Sequence, residues 1–231
     1  MSSLQHSVLE ALEGAKNYNA WVASLVLPYL GDDPIEIGSG TGTNAELLLE
    51  ARLERLTVTD TDPALVERLR ERFAGDTRVS VRRVDLLDAP VAEHSAFLAL
   101  NVLEHIEDDV AALRAAARLV RPGGSVVVFV PAFRFAMSEF DRAIGHHRRY
   151  TKATAREVFS RAGIGVEELR YVNAPGLAAW TVGMRFLRMR PREGLVLRGW
   201  DRAVVPVARR VEKRLAPPFG QSLLAVGRTV S

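Results

Sequence analysis

Residues 36–43 read Glu-Ile-Gly-Ser-Gly-Thr-Gly-Thr, directly after a short apolar run. Alternating glycines let a backbone turn sharply and approach a ligand closely. In nucleotide-binding sheets such a turn links a strand to a helix whose N-terminus faces the ligand. Two details narrow the ligand. The spacing is Gly38-x-Gly40-x-Gly42, not the Gly-x-Gly-x-x-Gly of dinucleotide sites. Glu36 also stands two places before Gly38, where a carboxylate repels a pyrophosphate and attracts an ammonium group. Ser39, Thr43 and Thr61 belong to the same candidate set. Asp60 follows a second apolar run and suits the two hydroxyls of a ribose. Asp85, after a third run, can accept from an adenine amino group while Leu86 donates its backbone N–H. The plainer alternatives are helix capping by Asp62 before Pro63 and an ordinary strand-ending role for Asp85.

A second set of residues could move a proton. Glu104-His105 follows a fourth apolar run, and histidine titrates near neutrality. The stretch Asp141-Arg-Ala-Ile-Gly-His146-His147-Arg148-Arg149-Tyr150 is dense in polar chemistry. Adjacent histidines cannot share one face of a strand, so His146 and His147 are expected to do different work. Tyr150 is a poorer base, with an ordinary pKa near ~10, and is expected to orient an acceptor or a histidine. Arg148 and Arg149 can clamp a carboxylate or phosphate. The alternative is a surface loop whose arginines pair with Asp141 and Glu139, with His105 a packing residue.

Both sets need a scaffold. Apolar runs at 34–37, 55–59, 79–84, 96–100, 125–130, 165–171 and 221–230 read as strands. Helical spacing occupies 4–30 (broken near Pro28), 43–51, 63–73, 109–119 and 151–162. Residues 132–150 read as a loop, and 175–215 as helix broken at Pro191 and Pro206. Strands alternating with helices imply a doubly wound α/β sheet, mostly parallel, of seven strands. The last strand is expected to be antiparallel, with a helical insert before it. The ends of β-strands at the carboxyl side of such a sheet are where ligands bind.

Taken in order, Glu36-x-Gly-x-Gly-x-Gly, Asp60, Asp85, Asn101-Val-Leu-Glu-His-Ile and Pro122-Gly-Gly resemble the motif series of the class I S-adenosylmethionine-dependent methyltransferases. The resemblance spans Tyr18 to Pro131. Asn17-Tyr18-Asn19-Ala20-Trp21 and the Gly-His-x-Arg-Arg-Tyr stretch are similar to a bacterial small-molecule branch. It implies that Tyr18 and Trp21 lie over the cofactor, though Trp21 suits a helix core equally. It also implies that Asn101 and Val102 touch the methionine part by backbone. In some related branches a Glu–His pair and a further Glu three residues earlier bind a divalent metal. Here that earlier position is Asn101, so no metal site is expected. The implied reaction moves a methyl group to oxygen, nitrogen or carbon of a small bacterial metabolite or natural product. A nicotinamide-dependent oxidoreductase and a non-catalytic cofactor-binding protein are the alternatives.

The chain has 231 residues, 48% hydrophobic, with no cysteine. That fits one domain (1–231) with N-terminal helices over 1–30 and an insert or lid over 175–218. It excludes disulfides and thiolate metal sites. No run of eighteen apolar residues suggests a membrane span, and the N-terminus lacks signal-peptide character, so a cytoplasmic protein is expected. The overall charge is +3, yet residues 185–214 hold nine Arg and one Lys against three acidic residues. That segment can lie over the acceptor pocket, on an anionic surface or in a homodimer contact. A small-molecule acceptor is the expected partner, and no nucleic-acid module is recognisable.

Overall fold

The computed structural model describes residues 13–89, 91, 94–186 and 195–229. The start of the N-terminal helix (4–12) and Pro191 lie outside that range. Seven strands form one sheet in the order β3-β2-β1-β4-β5-β7-β6. They are β1 (Ile35–Ile37), β2 (Leu56–Asp60), β3 (Val79–Arg83), β4 (His94–Leu100), β5 (Val120–Pro131), β6 (Ile164–Val172) and β7 (Ser222–Thr229). All neighbours pair parallel except β7, which runs antiparallel to β5 and β6. Chain order reverses at β1 and β4, the switch point where an open α/β sheet leaves a crevice.

The helices are α1 (Lys16–Val26), α2 (Thr43–Glu50), α3 (Pro63–Arg72), α4 (Asp109–Arg118), α5 (Glu139–Ala143), α6 (Lys152–Arg161), α7 (Ala174–Trp180) and α8 (Leu195–Glu212). One apolar cluster contains Ile35, Phe97, Leu113, Val128 and Phe159; a second contains Trp21, Leu48, Val58, Leu98 and Phe129. Along β4 and β5, alternate residues go to alternate clusters, as the two-residue strand period requires. Strands this apolar are stable only when covered on both faces.

Two expectations fail for physical reasons. Residues 132–150 are not a plain loop. They form a 3-10 turn (Arg134–Ala136) and α5, whose Ser138 and Asp141 cap each other's backbone. Helix α8 runs through Pro206 without breaking. Proline removes one helical hydrogen bond, but α8 is anchored on both sides of it. Asp201 accepts from the backbone of Asn17 and Tyr18 at 3.0 and 2.9 Å, capping α1. Glu212 accepts from the backbone of Asn173 and Ala174 at 3.0 and 2.8 Å, capping α7. Both carboxylates are buried. Two acids inside a strongly basic segment thus fix the insert to the sheet's flank. Among the described residues, no helix is long and apolar enough to cross a membrane.

Candidate functional site

The glycine turn leaves β1 and enters α2. Gly38 and Gly42 have φ of +68° and +84°. A Cβ at Gly38 would meet Val102 at 2.7 Å, and one at Gly42 would meet Phe73 at 2.9 Å. No other residue fits either place without displacing a neighbour. The turn is tied to β2: Ser39 donates its N–H to the Thr59 carbonyl at 2.7 Å, and Gly40 donates to Asp60 Oδ2 at 3.1 Å. Asp60 Oδ1 accepts from the Asp62 N–H, and Asp62 in turn caps α3. Glu36 is 2% exposed and its Oε2 has no hydrogen-bond partner. Burial pushes its carboxyl up to about 7, a Ser39 hydrogen bond pulls it down, and Asp60 raises it again. A buried acceptor lacking a donor beside such a turn has a place for a ligand's ammonium group.

Asn101, Glu104 and His105 follow β4, and residues 132–150 follow β5. Asn101 has φ +54°, with its N–H given to the Phe129 carbonyl at 2.8 Å; asparagine tolerates that left-handed backbone. Glu104 is fully buried, and neither side-chain oxygen has a partner. Burial pushes its carboxyl up to about 8, against a backbone hydrogen bond and Arg149, with Asp141 adding to the rise. His146 Nδ1 lies 3.0 Å from Asp141 Oδ1, and its Nε2 lies 3.8 Å from Glu104 Oε1. The His105 and His146 rings meet edge to face at 4.6 Å. Burial and the neighbouring His146 lower His105 to about 4, so it is neutral at physiological pH. Asp141 also accepts from Ser138 and Arg149. Burial raises its carboxyl, but the bonds from His146, Arg149 and Ser138 outweigh that and hold it well below the usual range.

Residues 35–126 match the family described as a methyltransferase domain. Over those residues the chain is similar to S-adenosylmethionine-dependent methyltransferases. A probable S-adenosylmethionine-dependent methyltransferase of Mycolicibacterium smegmatis is 30% identical over 64% of this chain and 58% of its own length. The chain spans little more than half the length of the curated relatives it matches: 58% of that one and 51% of a Streptomyces fradiae protein. Among solved structures, a chain of the complex between the Haloferax volcanii Trm112 methyltransferase activator and a methyltransferase is 18% identical. It covers 100% of this chain and 99% of its own, with a TM-score of 0.69. Geranyl diphosphate C-methyltransferase from Streptomyces coelicolor, 14% identical, covers 90% and 78% with a TM-score of 0.63. These likenesses establish the fold. The residues present fit the cofactor of those relatives, S-adenosylmethionine: its ammonium group would meet the unpartnered Glu36 oxygen, and its ribose hydroxyls would meet Asp60.

The fold brings some expected residues together and separates others. Glu36 in β1, Gly38, Ser39, Gly40 and Gly42 in the turn, and Thr43 at the start of α2 lie in sequence. Asp60 at the end of β2 is bonded to the turn, Thr61 follows it, and Val102 packs against Gly38. Asp85 is exposed beyond β3, with one oxygen accepting from the Leu87 N–H, and Leu86 is buried. Tyr18 is half-buried on α1, its hydroxyl 3.3 Å from Ser222 Oγ; burial pushes it up to about 12. Trp21 is 2% exposed and packs in the second core cluster, because the apolar side of α1 covers the sheet. The buried Tyr150 hydroxyl donates to Asp109 Oδ2 at 2.9 Å. His147 is exposed; its N–H donates to the Glu104 carbonyl, and it adds to the lowering of His105. Arg148 and Arg149 are occupied within the protein, by Asp109 and Asp141. From sequence Asp141 reads only as a partner of the arginines, which it is, while its burial and its bond to His146 are missed. The signal available was Ser138-x-x-Asp141, a helix-capping spacing.

Proposed function

We propose that this chain transfers the methyl group of S-adenosylmethionine to an oxygen, nitrogen or carbon of a small bacterial metabolite. The single observation that carries this is Glu36 Oε2, buried and unpartnered at a glycine turn tied to Asp60. Glu36 takes the cofactor's ammonium group. Asp60 takes the ribose hydroxyls, Asp85 and Leu86 the adenine edge, and Asn101 and Val102 the methionine backbone. Tyr18 borders the same end of the sheet. When bound, the cofactor supplies an electrophilic methyl group on a sulfonium. The protein's main task is then alignment of the acceptor with that methyl. The His105–His146 pair, after β4 and β5, receives the proton of an O–H or N–H acceptor. Glu104 lies behind the pair, and Asp141 sets the His146 ring. The pair is half-buried, which suits a narrow acceptor group. The insert over 175–218 serves as the wall or lid of the acceptor pocket. The test supplies methyl-labelled S-adenosylmethionine, the purified chain, and separated small-molecule and macromolecular fractions of a bacterial extract. Label is expected in a low-mass product. Label confined to RNA or protein would overturn the small-acceptor reading.

A further inference from the structure

Glu104, His105 and His146 come from two segments and converge. One ligand-capable atom of each lies within 4.8 Å of the others. Their surroundings are more specific than a proton acceptor needs. Asp141 is an ionised acceptor that also takes Ser138 and Arg149 donors, so the proton between it and His146 sits on Nδ1. The other ring nitrogen of His146, Nε2, faces Glu104 Oε1 at 3.8 Å. The His105 ring is held by the Gly145 backbone. Glu104 is fully buried with both oxygens unpartnered. Ligand-capable atoms thus face one another around two unpartnered buried oxygens, an arrangement that costs free energy unless a proton or a cation lies between.

We propose that Glu104, His105 and His146 bind one divalent transition-metal cation of the zinc, manganese or iron class. Two imidazoles and one carboxylate suit these ions, whereas magnesium and calcium favour oxygen alone. Ligand distances of ~2.0–2.2 Å place two donors on one ion roughly 3.0–3.5 Å apart. The His146–Glu104 separation of 3.8 Å is a few tenths of an ångström beyond that, and with all three atoms within 4.8 Å of one another the widest pair closes by at most about 1–2 Å. Each histidine has its other ring nitrogen held by a carboxylate or a backbone carbonyl, the second partner that metal-binding imidazoles ordinarily have. Three protein ligands leave coordination positions open at the edge where the acceptor is placed. With both histidines ligating, a cation there would replace them as the aid to deprotonation, by drawing an acceptor oxygen into line and easing loss of its proton to solvent. The sequence expectation of no metal rested on Asn101 in place of a third acidic ligand; the fold brings His146 there instead. The inference stands on the cluster alone and survives or fails separately from methyl transfer.

The test uses the full chain, chelator-stripped and free of any affinity tag, titrated with Co²⁺ under visible absorption and calorimetry. One Co²⁺ per chain with d–d bands, displaced by Zn²⁺, is expected. His146→Ala and Glu104→Gln should each weaken binding by at least about tenfold. S-adenosylhomocysteine binding by each variant checks that it has folded. Where a variant does not fold, Mn²⁺ added to the wild-type chain decides: it should broaden the ring resonances of His105 and His146 before those of His94. Absence of saturable Co²⁺ binding by the wild type overturns the proposal, as does binding that both folded variants retain, or Mn²⁺ broadening that spares these two rings. Bound S-adenosylhomocysteine without bound Co²⁺ would remove the metal and leave the methyltransferase reading in place.

Discussion

The two halves of the site are built differently. The cofactor half comes from neighbouring pieces of chain: β1, its glycine turn and the end of β2. Its hydrogen bonds are mostly backbone to backbone or backbone to Asp60. The acceptor half joins Glu104 to a segment some forty residues later, through buried charges and side-chain bonds. A backbone turn holds a shared cofactor in one way. A side-chain network can be rebuilt for a different acceptor without disturbing the turn. Removing a buried charge should therefore damage the acceptor half most, and changes there should leave cofactor affinity alone.

Asp141→Ala should give the largest effect. It strands Arg149, which is 6% exposed, and frees the His146 ring. Breaking a buried pair from one side costs about 3–5 kcal/mol, read by chemical denaturation. A loss under about 1 kcal/mol would mean that the network is not structural. Glu36 comes next. Its folded carboxyl, at about 7, lies above the ordinary 4.5. The stabilising proton is present below 4.5 and is lost as pH rises through 7. The gap is worth roughly 3 kcal/mol. Glu36→Gln should remove that pH-dependent loss from the unliganded protein. In the wild type, affinity for S-adenosylhomocysteine should fall as pH drops below 7, because a neutral Glu36 no longer attracts the ammonium group. A pH-independent difference between wild type and variant would show that Glu36 is not the buried acid. Tyr150→Phe should be smallest, at about 1 kcal/mol of stability for one hydrogen bond, since Arg148 still pairs with Asp109. Cofactor affinity should be unchanged, and a large fall would place Tyr150 at the cofactor.

The same contrast explains what the sequence could tell. The strands, the order of helices and the glycine turn depend on local spacing and apolar runs, so they were legible. The antiparallel place of β7 was legible because a last strand returns beside its predecessor. Asp141, Arg149 and Tyr150 were not, because each is defined by a partner distant in sequence or buried by tertiary packing. Asn173, Asp201 and Glu212 show the same limit. Counting charges makes the insert a basic surface, while the fold uses its acids as caps for α1 and α7. Trp21 belonged equally to a helix core, and packing decided it.

The central claim is that the Glu36–Asp60 turn holds a cationic, phosphate-free nucleoside. Calorimetry of the wild type and Asp60→Ala with S-adenosylhomocysteine and with NAD tests it most directly. The account predicts saturable binding of S-adenosylhomocysteine and none of NAD. Asp60→Ala should weaken that binding by about 1.5–3 kcal/mol, the range for a hydrogen bond to a charged group. Binding of NAD with no response to S-adenosylhomocysteine, or an unchanged dissociation constant in Asp60→Ala, would contradict it.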